Sequence, residues 1–101
     1  MPTDLKLSYT AAAILKAIAA GHCYGFEIME AIGIPSGTVY PALRRMEASG
    51  VIGSQWESER SAQAEQRPPR KYYRLTSDGR DLLAHAEQRY RLPEFASMDE
   101  V

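Results

Sequence analysis

Two stretches of this chain gather side chains suited to gripping a phosphodiester backbone. The first is Gly37–Glu47, G-T-V-Y-P-A-L-R-R-M-E, which carries the hydroxyls of Thr38 and Tyr40 and the guanidinium of Arg44. The second is Arg67–Arg74, where Arg67, Arg70, Lys71 and Arg74 interleave with Pro68, Pro69, Tyr72 and Tyr73. Cations at such positions neutralise phosphate, and hydroxyls donate hydrogen bonds to its oxygens. An arginine also reaches the acceptor pair on a guanine edge. The basic run equally suits a solvated edge strand guarded by charge, and taken alone the two readings weigh evenly.

No comparable case exists for catalysis or metal binding. His22 and His85 fall in separate elements without a second ligand type at a metal spacing. No Ser-His-Asp or Cys-His arrangement has supporting context, and no glycine-rich phosphate loop is present. Cofactors: none are expected. Cys23 is alone, so no intramolecular disulfide forms, and a small hydrophobe near a helix start is its expected role.

The elements that must position the two basic stretches follow from periodicity. Ser8–Ala20 repeats apolar residues at helical spacing through Ala11, Ile14, Leu15 and Ile18. Tyr24–Ile32 places Gly25, Ile28, Met29 and Ile32 on one face, and the glycine there fits either close approach of another helix or a plain helix start. Gly33, Ile34 and Pro35 make a compact turn. Ser36 is the expected N-cap of a third helix running to about Ser49, with Gly50 as its stop. Alternation of Ile52, Ser54 and Trp56 with Gly53 and Gln55 predicts a strand, and Arg70–Leu75 predicts its returning partner. The polar Glu57–Pro69 between them reads as a loop, with Trp56 packed in the core at its base. Thr76 caps a fourth helix through about Arg91, striped by Gly79, Leu82, Leu83, Ala86 and Tyr90.

On a wheel of 100° per residue, the third helix turns Val39, Ala42, Leu43 and Met46 inward. Gly37, Pro41, Arg44 and Ala48 face out, flanked by Thr38 and Arg45 on one edge and Tyr40 on the other. Its only acid, Glu47, lies off the centre of that face. A helix entering the major groove needs such a small, acid-free outer surface near its N-terminus. A solvated face with two chance arginines is the plainer alternative.

The chain has 101 residues and a net charge of −1, which taken alone argues against nucleic acid. Its distribution argues the other way, because residues 56–75 carry +2 and residues 76–101 carry −3. Ala11–Ala20 is broken by Lys16 and is too short to span a bilayer, so no membrane partner is expected and the protein reads as cytoplasmic. The fold class is mainly α with a β-hairpin, a winged helix-turn-helix plus a C-terminal dimerisation helix. The divisions are residues 1–75 for the DNA-binding domain, 76–91 for that helix, and 92–101 for a flexible acidic tail.

The combination Y-G-F-E-I-M (Tyr24–Met29), G-T-V-Y-P-A-L-R-R-M-E (Gly37–Glu47), S-G-V-I (Ser49–Ile52) and R-P-P-R-K-Y-Y-R-L-T-S-D-G (Arg67–Gly79) closely resembles the PadR family of bacterial transcriptional regulators. The resemblance covers roughly residues 5–91. It implies a homodimer that represses transcription from double-stranded DNA, in a family whose members often respond to small aromatic molecules. The positions it implies at DNA are Tyr24, Ser36, Gly37, Thr38, Tyr40, Pro41, Arg44, Arg67, Arg70 and Lys71. Residues 57–66 form a long insert with three acids, Glu57, Glu59 and Glu65. A single C-terminal helix matches the small subfamily.

A lone helix at the end of a small core has little of its own chain to pack against. Leu82, Leu83, Ala86 and Tyr90 are therefore expected to meet a second copy, and folding back on the first helix is the alternative. Phe26 lies to one side of its helix's stripe, as a dimer or effector contact or simply an exposed aromatic. The rival to a DNA-binding regulator is a winged-helix protein-interaction module, which the near-zero net charge favours.

Overall fold

The computed structural model describes residues 7–95. Five helices and two strands follow one another: α1 (Tyr9–Ala19), α2 (Gly25–Ile32), α3 (Ser36–Ala48), β1 (Ile52–Trp56), α4 (Glu59–Ala64), β2 (Lys71–Leu75) and α5 (Ser77–Arg89). Helix α1 starts where the Ser8 hydroxyl accepts a hydrogen bond from the Ala11 N–H at 3.1 Å. Helix α2 ends at Gly33, whose φ of 70° would strain any residue with a Cβ and whose N–H donates to the Met29 carbonyl. Ile34 and Pro35 complete the turn into α3.

The N-terminus of α3 departs from expectation by one residue. Pro35 is the capping position and Ser36 is already helical, with no side-chain cap. The Pro35 carbonyl accepts from the N–H groups of both Thr38 and Val39. Pro41 sits inside the helix, near enough to its start that a single intrahelical bond is forgone.

The core lies where α1, α2 and α3 meet the base of the hairpin. Ile14, Leu15, Ile28, Val39, Leu43, Met46, Val51 and Ile52 are fully buried there. Each such side chain contributes about 1.5–3 kcal/mol by leaving water. The strands pair antiparallel in the register Ile52↔Leu75, Ser54↔Tyr73 and Trp56↔Lys71. Tyr73 also donates its N–H to the Cys23 carbonyl at 2.7 Å, so β2 is tied to the entry of α2.

Four further expectations are corrected. The 57–69 segment is not simply a loop, since Glu59–Ala64 forms α4 and Ser58 caps it by accepting from the Ser61 N–H. Its one apolar face, Ala62, is buried. The Trp56 ring is not in the core, for Trp56 is 64% exposed. The hairpin extends past the core, so the face that buries Ile52 reaches solvent two pleats later.

The third correction concerns α5. Ala86 is fully buried in a satellite cluster with Ala12 and Leu92, and Leu82 and Leu83 pack on the main core. Tyr90 donates its hydroxyl to the Leu7 carbonyl at 2.8 Å and meets the Tyr9 ring edge-on at 5.7 Å. The stripe folds back along α1, which offers a second apolar face through its alanines. The segment after α5 is held as well: Leu92 is buried, Glu94 pairs with Lys16 at 3.3 Å, and Phe95 lies edge-on to His22. The expected flexible tail is thus docked as far as Phe95, and residues 96–101 lie outside the described residues.

Candidate nucleic-acid interface

The outer face of α3 is as the wheel predicts. Val39, Ala42, Leu43 and Met46 are buried, while Ser36, Gly37, Thr38, Tyr40 and Arg44 are exposed. Pro41 is half-buried between them. With no side chain capping the helix, its first N–H groups and the positive end of its dipole are open to a phosphate. No ion pair engages Arg44 among the described residues. Its guanidinium therefore remains available to a base edge or a phosphate.

Tyr40 is positioned by a glycine. A Cβ on Gly25 would collide with the Tyr40 hydroxyl and ring, so the ring lies directly on the first turn of α2. That close approach, one of the two readings of Gly25 in the α2 stripe, brings the two helices of the helix-turn-helix together and leaves Tyr40 at the surface.

The wing adds cations that are already held in place. The Arg70 guanidinium carbon sits 4.0 Å from the centroid of the Tyr24 ring. Tyr24 in turn meets Tyr72 edge-on at 5.8 Å. The Lys71 ammonium pairs with Glu47 of α3 at 3.3 Å and stands 5.9 Å from the Trp56 ring. Glu47 also accepts from the Ser54 hydroxyl. Those two donors, Ser54 first, hold the Glu47 carboxyl below the usual carboxylate range. Burial pushes the Tyr73 phenol up, so it stays neutral.

Arg67 stands apart from the other basic positions. Both ends of its guanidinium donate to Glu57, one at 2.9 Å, and Glu57 also accepts from the Arg70 N–H at 3.2 Å. The Arg67 guanidinium is the main reason the Glu57 carboxyl titrates below its ordinary range. One carboxylate thus joins the two ends of the insert that contains α4 (Glu59–Ala64). Only the acid count of this insert was visible in sequence. The spacing of an acid and an arginine ten residues apart across a hairpin was the signal for the clamp.

Tyr24, Tyr40, Arg44, Arg70, Lys71 and Trp56 line a single open cleft of about 690 Å³ between α2, α3 and the wing, with Phe26 on its rim. Of the positions expected at DNA, the cleft brings together Tyr24, Tyr40, Arg44, Arg70 and Lys71, while Ser36, Gly37, Thr38, Pro41 and Arg67 lie outside its lining. The model of the transcriptional regulator PadR-like family matches residues 14–85, most of the chain. The chain belongs to the PadR-like family of transcriptional regulators.

Solved structures of transcriptional regulators agree with the assignment. A PadR family transcription regulator from Clostridium difficile is 34% identical, with a TM-score of 0.72, and the match covers 83% of this chain and 88% of that one. A transcriptional regulator from Clostridium thermocellum is 28% identical at a TM-score of 0.67, covering 80% and 81% of the two chains. A PadR-like transcription factor from Bacteroides fragilis is 28% identical at 0.65, covering 78% and 77%. No curated protein matches significantly by sequence.

In this PadR-like chain the winged helix-turn-helix is α1–α3 with the β1–β2 hairpin as wing. Among the described residues no group of His, Cys, Asp and Glu could hold a metal, and no helix is long and apolar enough to cross a membrane. Two aromatics of the site escaped the sequence reading. The alternation of β1 points Trp56 to the core, and Phe26, 57% exposed, lies beside the apolar stripe of α2. Cross-strand register was the missing signal, since it places Trp56 opposite Lys71.

Proposed function

We propose that the protein is a sequence-specific regulator that binds double-stranded DNA, represses transcription from a palindromic operator, and acts as a homodimer. The single observation behind this reading is the shared cleft, in which Arg44, without an ion-pair partner among the described residues, stands with Arg70 and Lys71; Arg44 belongs to α3, whose N-terminus has no side-chain cap. Arg44 reads a base edge in the major groove. Ser36, Gly37 and Thr38 offer backbone and hydroxyl donors to phosphate, and Pro41 keeps the outer face compact. Tyr24 and Tyr40 donate hydroxyls to the same backbone. Arg70 and Lys71 hold the flanking phosphates. Arg67 orders the wing through Glu57.

The dimer reading changes with the fold. Ala86 and Tyr90 support α5 from within, so a second copy would meet its outward side. Leu83 and Ala84 there border a cleft of about 540 Å³ between α1, β2 and α5, whose lining also includes Arg74, Arg80 and Glu87. Leu82 and Leu83 pack against the core and remain half-buried, which leaves part of each side chain to a second copy. A two-fold pair would set two α3 helices about one DNA turn, roughly 34 Å, apart. Release by a small aromatic effector, implied by the family resemblance, would read as loss of binding on titration.

The test is binding to duplex DNA from upstream of the protein's own gene across a salt series. A steep fall of affinity with salt, together with preference for one sequence, supports the reading. Equal affinity for all duplexes overturns sequence specificity, and no binding overturns the whole. Sedimentation at micromolar concentration reads the assembly, and a species with the 11.3 kDa mass of one chain overturns the dimer.

A further inference from the structure

The cleft between α2, α3 and the wing is more apolar than phosphate binding requires. Trp56 is 64% exposed and Phe26 is 57% exposed, and both border the cleft that Arg44, Arg70 and Lys71 ring with positive charge. The acids nearest those cations are already committed, Glu47 to Lys71 and Ser54, and Glu57 to Arg67. Two large aromatics left in water at the edge of a basic cleft mark a surface that a partner covers. The charge around them selects a polyanion, and the apolar rings require that polyanion to offer hydrocarbon as well. A DNA duplex offers both, through its phosphates, the thymine methyls of the major groove and the deoxyribose rings.

We propose that Phe26 and Trp56 form an apolar contact with the duplex, between the recognition helix and the wing, against thymine methyl or deoxyribose carbon. The inference rests on the DNA-binding reading and adds to it a part that is not ionic. Lys71 Nζ, 5.9 Å from the Trp56 ring, couples the two parts: the ammonium holds a phosphate while the indole covers the adjoining hydrocarbon. Removing a ring therefore lowers affinity by a similar factor at every salt concentration, whereas removing a cation changes the salt slope.

The experiment uses the full chain and a duplex that it enriches from a randomised pool. Phe26→Ala and Trp56→Ala are each expected to weaken binding to that duplex about tenfold, corresponding to roughly 60 Å² of apolar surface left in water. The slope of log affinity against log salt stays that of the wild type. Trp56→Phe restores most of the loss. Both side chains are exposed, so unchanged circular dichroism and thermal midpoint are expected for each variant. Replacing thymine by uracil in the same duplex separates the two sources of hydrocarbon. If methyls are the contact, uracil weakens the wild type and leaves the affected alanine variant unchanged. If deoxyribose is the contact, uracil has no effect on either while both alanine variants still bind weakly. A selected duplex that both alanine variants bind like the wild type overturns this inference alone. Failure to enrich any duplex overturns the DNA reading, and the inference with it.

Discussion

The outer face of α3 and the wing carry the same kind of charge and hold it in opposite ways. Arg44 projects from a rigid helix without an ion-pair partner among the described residues. Every wing cation named for DNA is engaged: Arg70 over Tyr24, Lys71 with Glu47, and Arg67 with Glu57. A free guanidinium on a fixed scaffold can select among bases, because its position is set and its hydrogen bonds are unspent. A cation resting on a ring or a single carboxylate is pre-oriented yet still offers charge to a phosphate. The helix is built to discriminate and the wing to hold.

The largest test of that division is Arg44→Ala. Specific binding should fall by about 1–3 kcal/mol, and discrimination at one base position should relax. Binding to unrelated sequence should change little. Equal loss on all sequences would make Arg44 another phosphate contact and erase the contrast.

Replacing Arg70 and Lys71 together comes next. Affinity should drop alike for every duplex, and the slope against log salt should flatten by about two. An unchanged slope would remove the wing from the interface. The smaller change is Glu57→Gln, which removes the charge facing Arg67 and one of its two acceptor oxygens while an amide oxygen still accepts from the Arg70 N–H. Limited proteolysis between residues 58 and 69 should quicken, and DNA affinity should fall modestly although a negative charge has gone. A gain in affinity would show that Glu57 restrains Arg67 rather than shaping the wing for use.

The smallest effect is that of mild acid. Glu47 and Glu57 both titrate below the ordinary carboxylate range in the fold. Their stabilisation is therefore complete above the unfolded value near pH ~4.3, and is lost as pH falls through the lower folded values. Trp56, the sole tryptophan, sits beside both pairs and reports on them. Its fluorescence should be level from about pH 8 to 5 and change only below about pH 4. A transition centred near pH 6 would mean that neither carboxylate governs the wing.

Most of this arrangement was legible in the chain. The α3 wheel, the Gly33–Pro35 turn and the basic run of the returning strand each stated their place. What stayed hidden was set by the extent of the core. Trp56 alternates in phase with Ile52, but only register and depth reveal that the core stops between them. Helix α4 is six residues long and has one apolar anchor, Ala62, too little for a periodic signal. The α5 stripe finds its partner in α1, whose apolar surface is wider than the spacing of Ala11, Ile14, Leu15 and Ile18 implies. Ala11 through Leu15, together with Ala17 and Ile18, are all buried, which is the mark of a helix covered on two sides. The run of three alanines was the clue, because small residues admit a second helix at close range.

That second cover has a kinetic consequence. Ala12 meets Ala86, and Leu7 accepts its hydrogen bond from a tyrosine 83 residues later. The first helix of this winged fold is thus completed by the last, a contact of very long sequence separation for so short a domain. Closing it carries the loop entropy of nearly the whole described chain, so docking of α5 should come late in folding. On the ribosome, the alanine face of α1 waits uncovered until α5 has emerged, the interval in which a nascent chain is most open to misassociation.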